Sequence, residues 1–118
     1  MSRVFQIRQG DRLPYLAYQF GFSLVGALGV TFSAREAPLN TLFIDRQPAV
    51  IANGTYTVNG QSQVYTPASG VVFYPFSAID TAVVRKSVMG LFHINWPGNL
   101  QETMPSEGYE KFVIFDNF

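Results

Sequence analysis

The sequence predicts an all-β fold, and specifically a single antiparallel β-sandwich. Seven or more short apolar segments with alternating side chains are separated by closely spaced turn residues, which is the pattern of a sandwich. Nowhere does the chain show a long amphipathic period of 3.6 residues, so no long helix is expected. The 118 residues are the length of one domain. We therefore predict that residues 1–118 form a single β-sandwich domain.

Three alternating segments predict the strands of the first third of the chain. They are residues 4–9, 15–22 and 29–34. In the first segment Phe5 and Ile7 share one face, because side chains alternate along a strand. In the third segment Val30 and Phe32 are expected to point into the core.

The interval 36–66 is the part of the chain whose pattern defines its structure least. Short apolar runs at 41–44 and 49–52 are compatible with core strands. Further on, Asn59-Gly60 lies between two alternating runs and is the strongest hairpin signal in the sequence, because a type I′ turn requires φ > 0 at both central residues. Two interpretations stay open: core strands, or a hairpin excursion outside the core.

The stretch 90–115 predicts two strands joined by a long turn. Along the first strand Phe92, Ile94 and Trp96 point to one face. Residues 97–99 are a Pro-Gly-Asn turn, since proline fixes φ and the other two tolerate φ > 0. The buried core predicted from the alternation along all strands comprises Phe5, Val30, Phe32, Phe73, Phe92, Ile94 and Ile114.

The charge balance and the residue content argue against several classes of function. Eight Lys+Arg against eight Asp+Glu leave no basic footprint for nucleic acid. Because the chain has no cysteine, it has no disulfide and no thiolate metal site. The most apolar stretch, residues 13–32, is interrupted by proline and glycine, so we expect no membrane span. Residues 1–3 are followed by an alternating segment and not by an unbroken apolar run, so we expect no signal peptide. We expect no nucleic-acid partner and no membrane partner.

The candidate residues for catalysis or metal binding are better explained by a structural role. His93 is the only histidine and has apolar neighbours on both sides, as a sheet residue does. Asp80-Thr81 is interpreted as a loop-fixing pair, because aspartate readily accepts hydrogen bonds from nearby backbone amides. The chain has no phosphate-binding or dinucleotide fingerprint and no nucleophile elbow. We therefore predict no enzyme activity, no catalytic residues, no cofactor and no metal site.

The aromatic content is high for a small domain. Eleven Phe, six Tyr and one Trp make up 15% of the chain, while 14% is charged. Because the interior of a small domain is limited, some rings are expected at the surface, where apolar patches mark contact sites. This favours a component of an assembly; the alternative is an aromatic-rich core.

An ordered series of turn and strand motifs runs along both ends of the chain. The motifs are Gly10-Asp11-Arg12-Leu13-Pro14, Leu24-Val25-Gly26-Ala27, Val30-Thr31-Phe32-Ser33, Asp80-Thr81, Gly90-Leu91-Phe92, Trp96-Pro97-Gly98-Asn99, Glu102-Thr103-Met104-Pro105 and residues 109–114. This series resembles the N-terminal domain of phage upper-baseplate proteins, an immunoglobulin-like β-sandwich that attaches receptor-binding parts to a tail. The resemblance does not cover residues 36–66, and residues 85–89 lengthen a gap that is short in the family. It implies an immunoglobulin-like sandwich with an attachment role, and not host recognition.

The function that follows from the resemblance is structural. We expect a virion protein of a bacteriophage tail, baseplate or tail-fibre attachment region, made in the host cytoplasm and acting as an adapter by protein–protein packing. Its partners would be other phage virion proteins, and it would be a homo-oligomer or occur in several copies around a symmetric ring. The alternative is a carbohydrate-binding β-sandwich module, in which Trp96 stacks on a sugar.

The contact surfaces are expected from the N-terminal strand, the turn after Trp96 and the C-terminal strand. Both terminal strands are predicted at sheet edges, where unpaired backbone groups are open to a neighbouring chain. The predicted interface residues are Phe5, Ile7, Trp96, Pro97, Asn99, Leu100, Phe112, Phe115 and Phe118.

Overall fold

The computed structural model describes residues 5–13, 15–36, 41–58, 60–105 and 109–117. It is all-β, and 61% of these described residues lie in strands. Its strands, in chain order, are β1 (Phe5–Arg8), β2 (Leu16–Gln19), β3 (Gly29–Glu36), β4 (Thr41–Ile51), β5 (Gly54–Val58), β6 (Gln61–Tyr65), β7 (Val71–Tyr74), β8 (Arg85–Trp96), β9 (Leu100–Met104) and β10 (Glu110–Phe115). A short 3₁₀ turn, Pro67–Ser69, precedes β7. The prediction of an all-β fold is confirmed.

Eight strands form one sheet that is mostly closed and barrel-like. The strand order is β1-β10-β8-β3-β4-β7-β2. Along one edge of β8, the first half pairs with β10 and the second half pairs with β9. Along the other edge of β8 lies β3. The described pairs of this sheet are antiparallel except β1–β10, which is parallel. The prediction of a purely antiparallel arrangement is therefore wrong at this pair, because the first and last strands run towards the same end of the barrel.

Strand β4 connects the two sides of the barrel. Most of it pairs with β3, and its last two residues pair with β7. Opposite Ser33 the register shifts, and Arg46, with a φ of 48°, donates its backbone N–H to Ser33 Oγ at 2.9 Å. Such bulges bend a strand and increase its twist, which allows one strand to serve both sides. The apolar run at 41–44 and the first three residues of the run at 49–52 are thus parts of the same strand, which ends at Ile51.

The core is built around the ring of Phe32. This ring is fully buried, and its centroid lies 4.7 Å from those of Phe92 and Tyr74 and 6.2 Å from that of Phe112. On the neighbouring strand Gly90 leaves room for it, since a Cβ at that position would lie 2.5 Å from Phe32 Cζ. A glycine inside a strand here reflects the close approach of another group.

Most of the predicted core residues are buried inside the barrel. Those confirmed are Val30, Phe32, Phe92, Ile94 and Ile114. Phe5 is only half-buried, because β1 is a terminal strand of the sheet; its ring stacks on Phe76 at 5.8 Å. Phe73 is buried, but on the outer face of β7. Its neighbours Val72 and Tyr74 belong to the inner core, and alternation turns Phe73 the other way.

Strands β5 and β6 form a separate two-stranded hairpin. Val58 pairs with Gln61, so the connection has two residues. Gly60 has a φ of 78°, as the predicted turn requires, whereas Asn59 lies outside the described residues. Two tyrosines of the hairpin pack on the outer face of Phe73, with ring centroids at 5.0 and 5.8 Å. The middle of the chain thus contains both a strand of the main sheet and an excursion.

Candidate interaction surface

The turn between β8 and β9 lies at one end of the barrel. Trp96 pairs with Leu100, and residues 97–99 connect them. Gly98 and Asn99 have φ angles of 82° and 61°, in the left-handed region that glycine and asparagine tolerate best. This is the turn that the sequence predicts.

Three apolar residues lie at this end of the barrel, one on β8, one on β9 and one in the segment just before β3. Gly29 of β3 pairs with Asn95 of β8. Leu28 comes just before β3, and its N–H donates to the backbone oxygen of Asn95, the residue before Trp96, at 2.7 Å. On the other side, Leu100 of β9 pairs with Trp96. Leu28 is 71% exposed and Leu100 is 65% exposed. We refer to Leu28, Trp96 and Leu100 as the Trp96 row.

The indole at the centre of the row is held in place. The Trp96 side chain is half-buried and packs against the core. Its Nε1–H donates to Glu102 Oε1 at 3.1 Å. Val25, in the corner before β3, is a further exposed apolar residue. An anchored aromatic ring between exposed leucines is suited to packing against another apolar surface.

The predicted interface residues lie in different environments. Exposed or partly exposed are Phe5, Trp96, Pro97, Asn99, Leu100 and Phe115. Ile7 and Phe112, in contrast, belong to the buried core. The prediction that these two side chains form a contact surface is wrong, because alternation turns both of them into the barrel. Phe118 lies outside the described residues.

The C-terminal strand is internal and does not form an edge. It lies between β1 and β8, which corrects the prediction of a free C-terminal edge. The residues after it hold β1 in place: Gln9 N–H donates to Phe115 O at 2.7 Å, and Arg8 Nη1 donates to Asp116 O at 3.0 Å. Asn117 Nδ2 donates to Gln9 O at 3.2 Å. Among the described strands of the main sheet, β1 and β2 stand at the two ends of the strand order, and β9 likewise pairs with one strand only.

The loop between β7 and β8 is fixed from inside by polar groups. Asp80 Oδ2 accepts hydrogen bonds from the Tyr74 hydroxyl at 2.5 Å and from Ser77 N–H at 3.0 Å. Thr81 Oγ1 donates to Asp11 O at 2.8 Å. Burial, and then the bond to Asp80, raise the pKa of the Tyr74 hydroxyl. The interpretation of Asp80-Thr81 as a loop-fixing pair is confirmed.

This fixed loop presents a second apolar surface. Ile79, next to buried Asp80, is 86% exposed, and Val83 is also exposed. Sequence reasoning missed this surface. The sequence signal for it is Ile79, an apolar residue next to the loop-fixing Asp80. When the side chain of Asp80 is turned into the protein, that of Ile79 is turned towards solvent.

His93 lies on the outer face of the sheet and is nevertheless buried. Its Nδ1 is 3.3 Å from Thr103 Oγ1. The pKa of His93 is lowered, mainly by burial and then by the charge of Arg46, while Asp45 acts in the opposite direction. Its neighbour across the β3–β8 pair is Thr31. This is the environment of a sheet residue, as the sequence predicts.

Glu110 is a charged residue on an inward-facing position. It begins β10 and shares its face with Phe112 and Ile114, because these positions alternate with exposed ones. Burial raises the pKa of Glu110. The pKa of the Tyr18 hydroxyl is also raised, mainly by burial and then by the charge of Glu110. The alternation along β10 was the signal that would have identified this position.

The remaining findings concern metals, membranes and known proteins. In the part of the chain that the structure describes, no group of three or more His, Cys, Asp or Glu residues is arranged to hold a metal ion. Within the same residues, no helix has the length and apolar content needed to cross a membrane. Comparison of the chain with family models, curated proteins and solved structures gives no match.

Proposed function

We propose that this protein is a structural component of a bacteriophage virion, an adapter in the tail, baseplate or tail-fibre attachment region. The observation that carries the proposal is the Trp96 row, which leaves two leucines largely exposed around an anchored indole at one end of the barrel. Contiguous apolar patches on small proteins mark contact sites. The function of such a surface is to pack against a partner, and its output is the geometry of the assembly.

Several features of the row suit a protein interface. Tryptophan is over-represented among the residues that dominate binding energy. Trp96 is already oriented by its strand and by its hydrogen bond to Glu102, so little side-chain freedom is lost on binding. Leu28 and Leu100 flank it and would exclude water from the contact. The partner is another virion protein with an apolar surface of matching shape.

The proposal includes several copies of the chain around a symmetric ring. The terminal strands β1 and β2 have one edge each without a strand partner among the described residues, and such edges accept a neighbouring strand. The fold in this proposal is an immunoglobulin-like sandwich whose two layers are joined through β4. This part of the proposal is supported by the pairing of β4, which pairs with β3 along most of its length and with β7 at its end.

The test replaces exposed leucines by aspartate and follows incorporation into virions. Leu28→Asp and Leu100→Asp place a charge in the row without removing a buried side chain. Leu42→Asp, on β4, is the matched control, because Leu42 is also exposed. We expect folded variants of the row to be absent from purified virions and the control to be incorporated. Normal incorporation of both row variants, or absence of the wild-type chain from virions, would overturn the proposal.

The alternative of a sugar stacked on Trp96 has less support. The indole is half-buried, and its only N–H is already bonded to Glu102. What remains accessible is an apolar surface between leucines. Loss of glycan binding on Trp96→Ala in an otherwise stable protein would support the alternative.

A further inference from the structure

A cleft of about 480 Å³ lies between the β5–β6 hairpin and the outer face of the β2–β7 pair. Its walls include Gln19, Gln63, Val64, Tyr65, Ser69 and Val71. No charged side chain is among the residues that line it. Its volume is within the range of about 300–1,000 Å³ that small-molecule sites occupy. The cleft involves β2, β6 and β7, whereas the Trp96 row lies on β8, on β9 and in the segment before β3, so the two surfaces share no residue.

The hairpin wall of the cleft is fixed by packing. Tyr65 packs its ring against Phe73 with a centroid distance of 5.8 Å, and Tyr56 lies 5.0 Å from the same ring. Phe73 itself is buried. The strands of the hairpin do not pair with the described strands of the main sheet. The packing of three aromatic rings attaches the hairpin to that sheet instead. A wall held in this way can position polar groups for a ligand.

The hydrogen bonds already present determine what the cleft offers. The Tyr65 hydroxyl donates to Gln63 Oε1 at 2.7 Å, so the Gln63 amide is oriented and its N–H groups are left to donate. Ser69 Oγ accepts from Thr66 N–H at 3.1 Å, which leaves the Ser69 hydroxyl proton to donate. On the opposite wall Gln19 is exposed, and its amide supplies both donors and an acceptor.

We propose that this cleft binds a neutral saccharide. Sugar hydroxyls both donate and accept, which matches oriented amide and hydroxyl groups on two walls. The C–H faces of a sugar ring need an apolar surface, and Val64, which is 75% exposed, and Val71 provide it beside Tyr65. The lack of charge among the lining residues favours neutral sugars over anionic ones. This activity does not depend on the adapter role, because it uses a different surface.

The test is a titration of the isotope-labelled full chain with neutral disaccharides, namely lactose, maltose and chitobiose, followed by NMR. We expect at least one of them to shift backbone signals of β2 and β6. The variants Gln19→Ala and Gln63→Ala should each weaken that binding about three- to tenfold, which is the effect of losing one or two neutral hydrogen bonds. The matched control is Gln6→Ala, which removes an exposed amide from β1 and should leave binding unchanged.

Four outcomes would overturn the proposal. The first is the absence of any shift with all three sugars. The second is binding that Gln19→Ala and Gln63→Ala leave unchanged while their thermal unfolding remains that of wild type. The third is binding that Trp96→Ala abolishes, which would place the sugar at the end of the barrel. A preference for an extended peptide at the β2 edge, with no saccharide response, would also count against it.

Discussion

Replacing Gly90 by alanine tests how tightly the barrel is packed. Two opposed effects determine whether this substitution raises or lowers the free energy of unfolding. The new Cβ would lie 2.5 Å from Phe32 Cζ. The ring has no room to move, since it is fully buried with Phe92 and Tyr74 at centroid distances of 4.7 Å. Overpacking costs about 1–3 kcal/mol, whereas alanine in place of a strand glycine gains about 0.5–1 kcal/mol. We expect Gly90→Ala to lower the free energy of unfolding by about 1–2 kcal/mol.

The measurement is chemical unfolding followed by tryptophan fluorescence, with the free energy taken from the linear extrapolation. Gly29→Ala is the matched control, because Gly29 also lies in a strand and a Cβ there has no atom within 4 Å. This control should be neutral or stabilising. A second arm repeats Gly90→Ala in a Phe32→Leu background, where the shorter side chain should remove most of the penalty. The difference between the two backgrounds is the coupling between the two positions.

The reasoning about this contact would be refuted by either of two results. One is a Gly90→Ala variant as stable as Gly29→Ala. The other is an equal penalty in the presence and absence of the Phe32 ring, since the penalty would then come from the backbone of β8 and not from the core.

Three further predictions concern stability. The pKa of His93 is lowered in the folded protein, so near this pKa the unfolded chain binds more protons than the folded one. The free energy of unfolding should therefore decrease as the pH falls below 6.5, the ordinary pKa of histidine. Unfolding curves recorded at several pH values should show this decrease for the wild type and lose it for His93→Gln. Gly70→Ala should lower the melting temperature more than Gly98→Ala. Both glycines have positive φ, but only at Gly70 would the new Cβ clash with a backbone oxygen, that of Phe22. Equal melting temperatures of the two variants would contradict this prediction. Asp80→Ala should lower the free energy of unfolding by about 2–4 kcal/mol, because two donors in the loop lose their acceptor; an unchanged chemical unfolding midpoint would show that the loop is not fixed in this way.

Local patterns were sufficient for the elements whose partners are close in sequence. The alternation along β8 predicts that Phe92 and Ile94 face inwards, and they are buried. Turn chemistry predicts the connection at 97–99, and it also predicts the β5–β6 hairpin, whose turn contains Gly60. At Gly60, Gly98 and Asn99 the backbone conformation that the residue tolerates best is the one observed.

Local patterns do not predict which strands pair when those strands are far apart in the sequence. Nothing in the residues of β1 indicates that it pairs with β10, and this pairing is what encloses Ile7 and Phe112 in the core. The face of Phe73 was likewise undetermined, because β7 is a run of consecutive apolar residues without alternation. The hairpin that covers Phe73 decides its environment.

The same distinction applies to the candidate sites. Trp96 and Leu100 were predicted as interface residues because they flank a recognisable turn. Leu28 was not, since a single leucine in a corner carries no periodic signal. The cleft beside the hairpin could not be predicted either, because Gln19 and Gln63 belong to different elements and meet only through packing on the outer face of β7.

The parallel pairing of β1 with β10 has a mechanical consequence. When the chain is pulled from the start of β1 and from the end of β10, the two strands are drawn past each other along their length. Their hydrogen bonds, which run from the Phe5–Phe112 pair to the Arg8–Phe115 pair, then carry the load together and do not open one after another. The contacts of Asp116 and Asn117 with the end of β1 add to the same clamp. A domain with this arrangement resists extension along its terminal strands, because unfolding it from these two ends requires several hydrogen bonds to break at once.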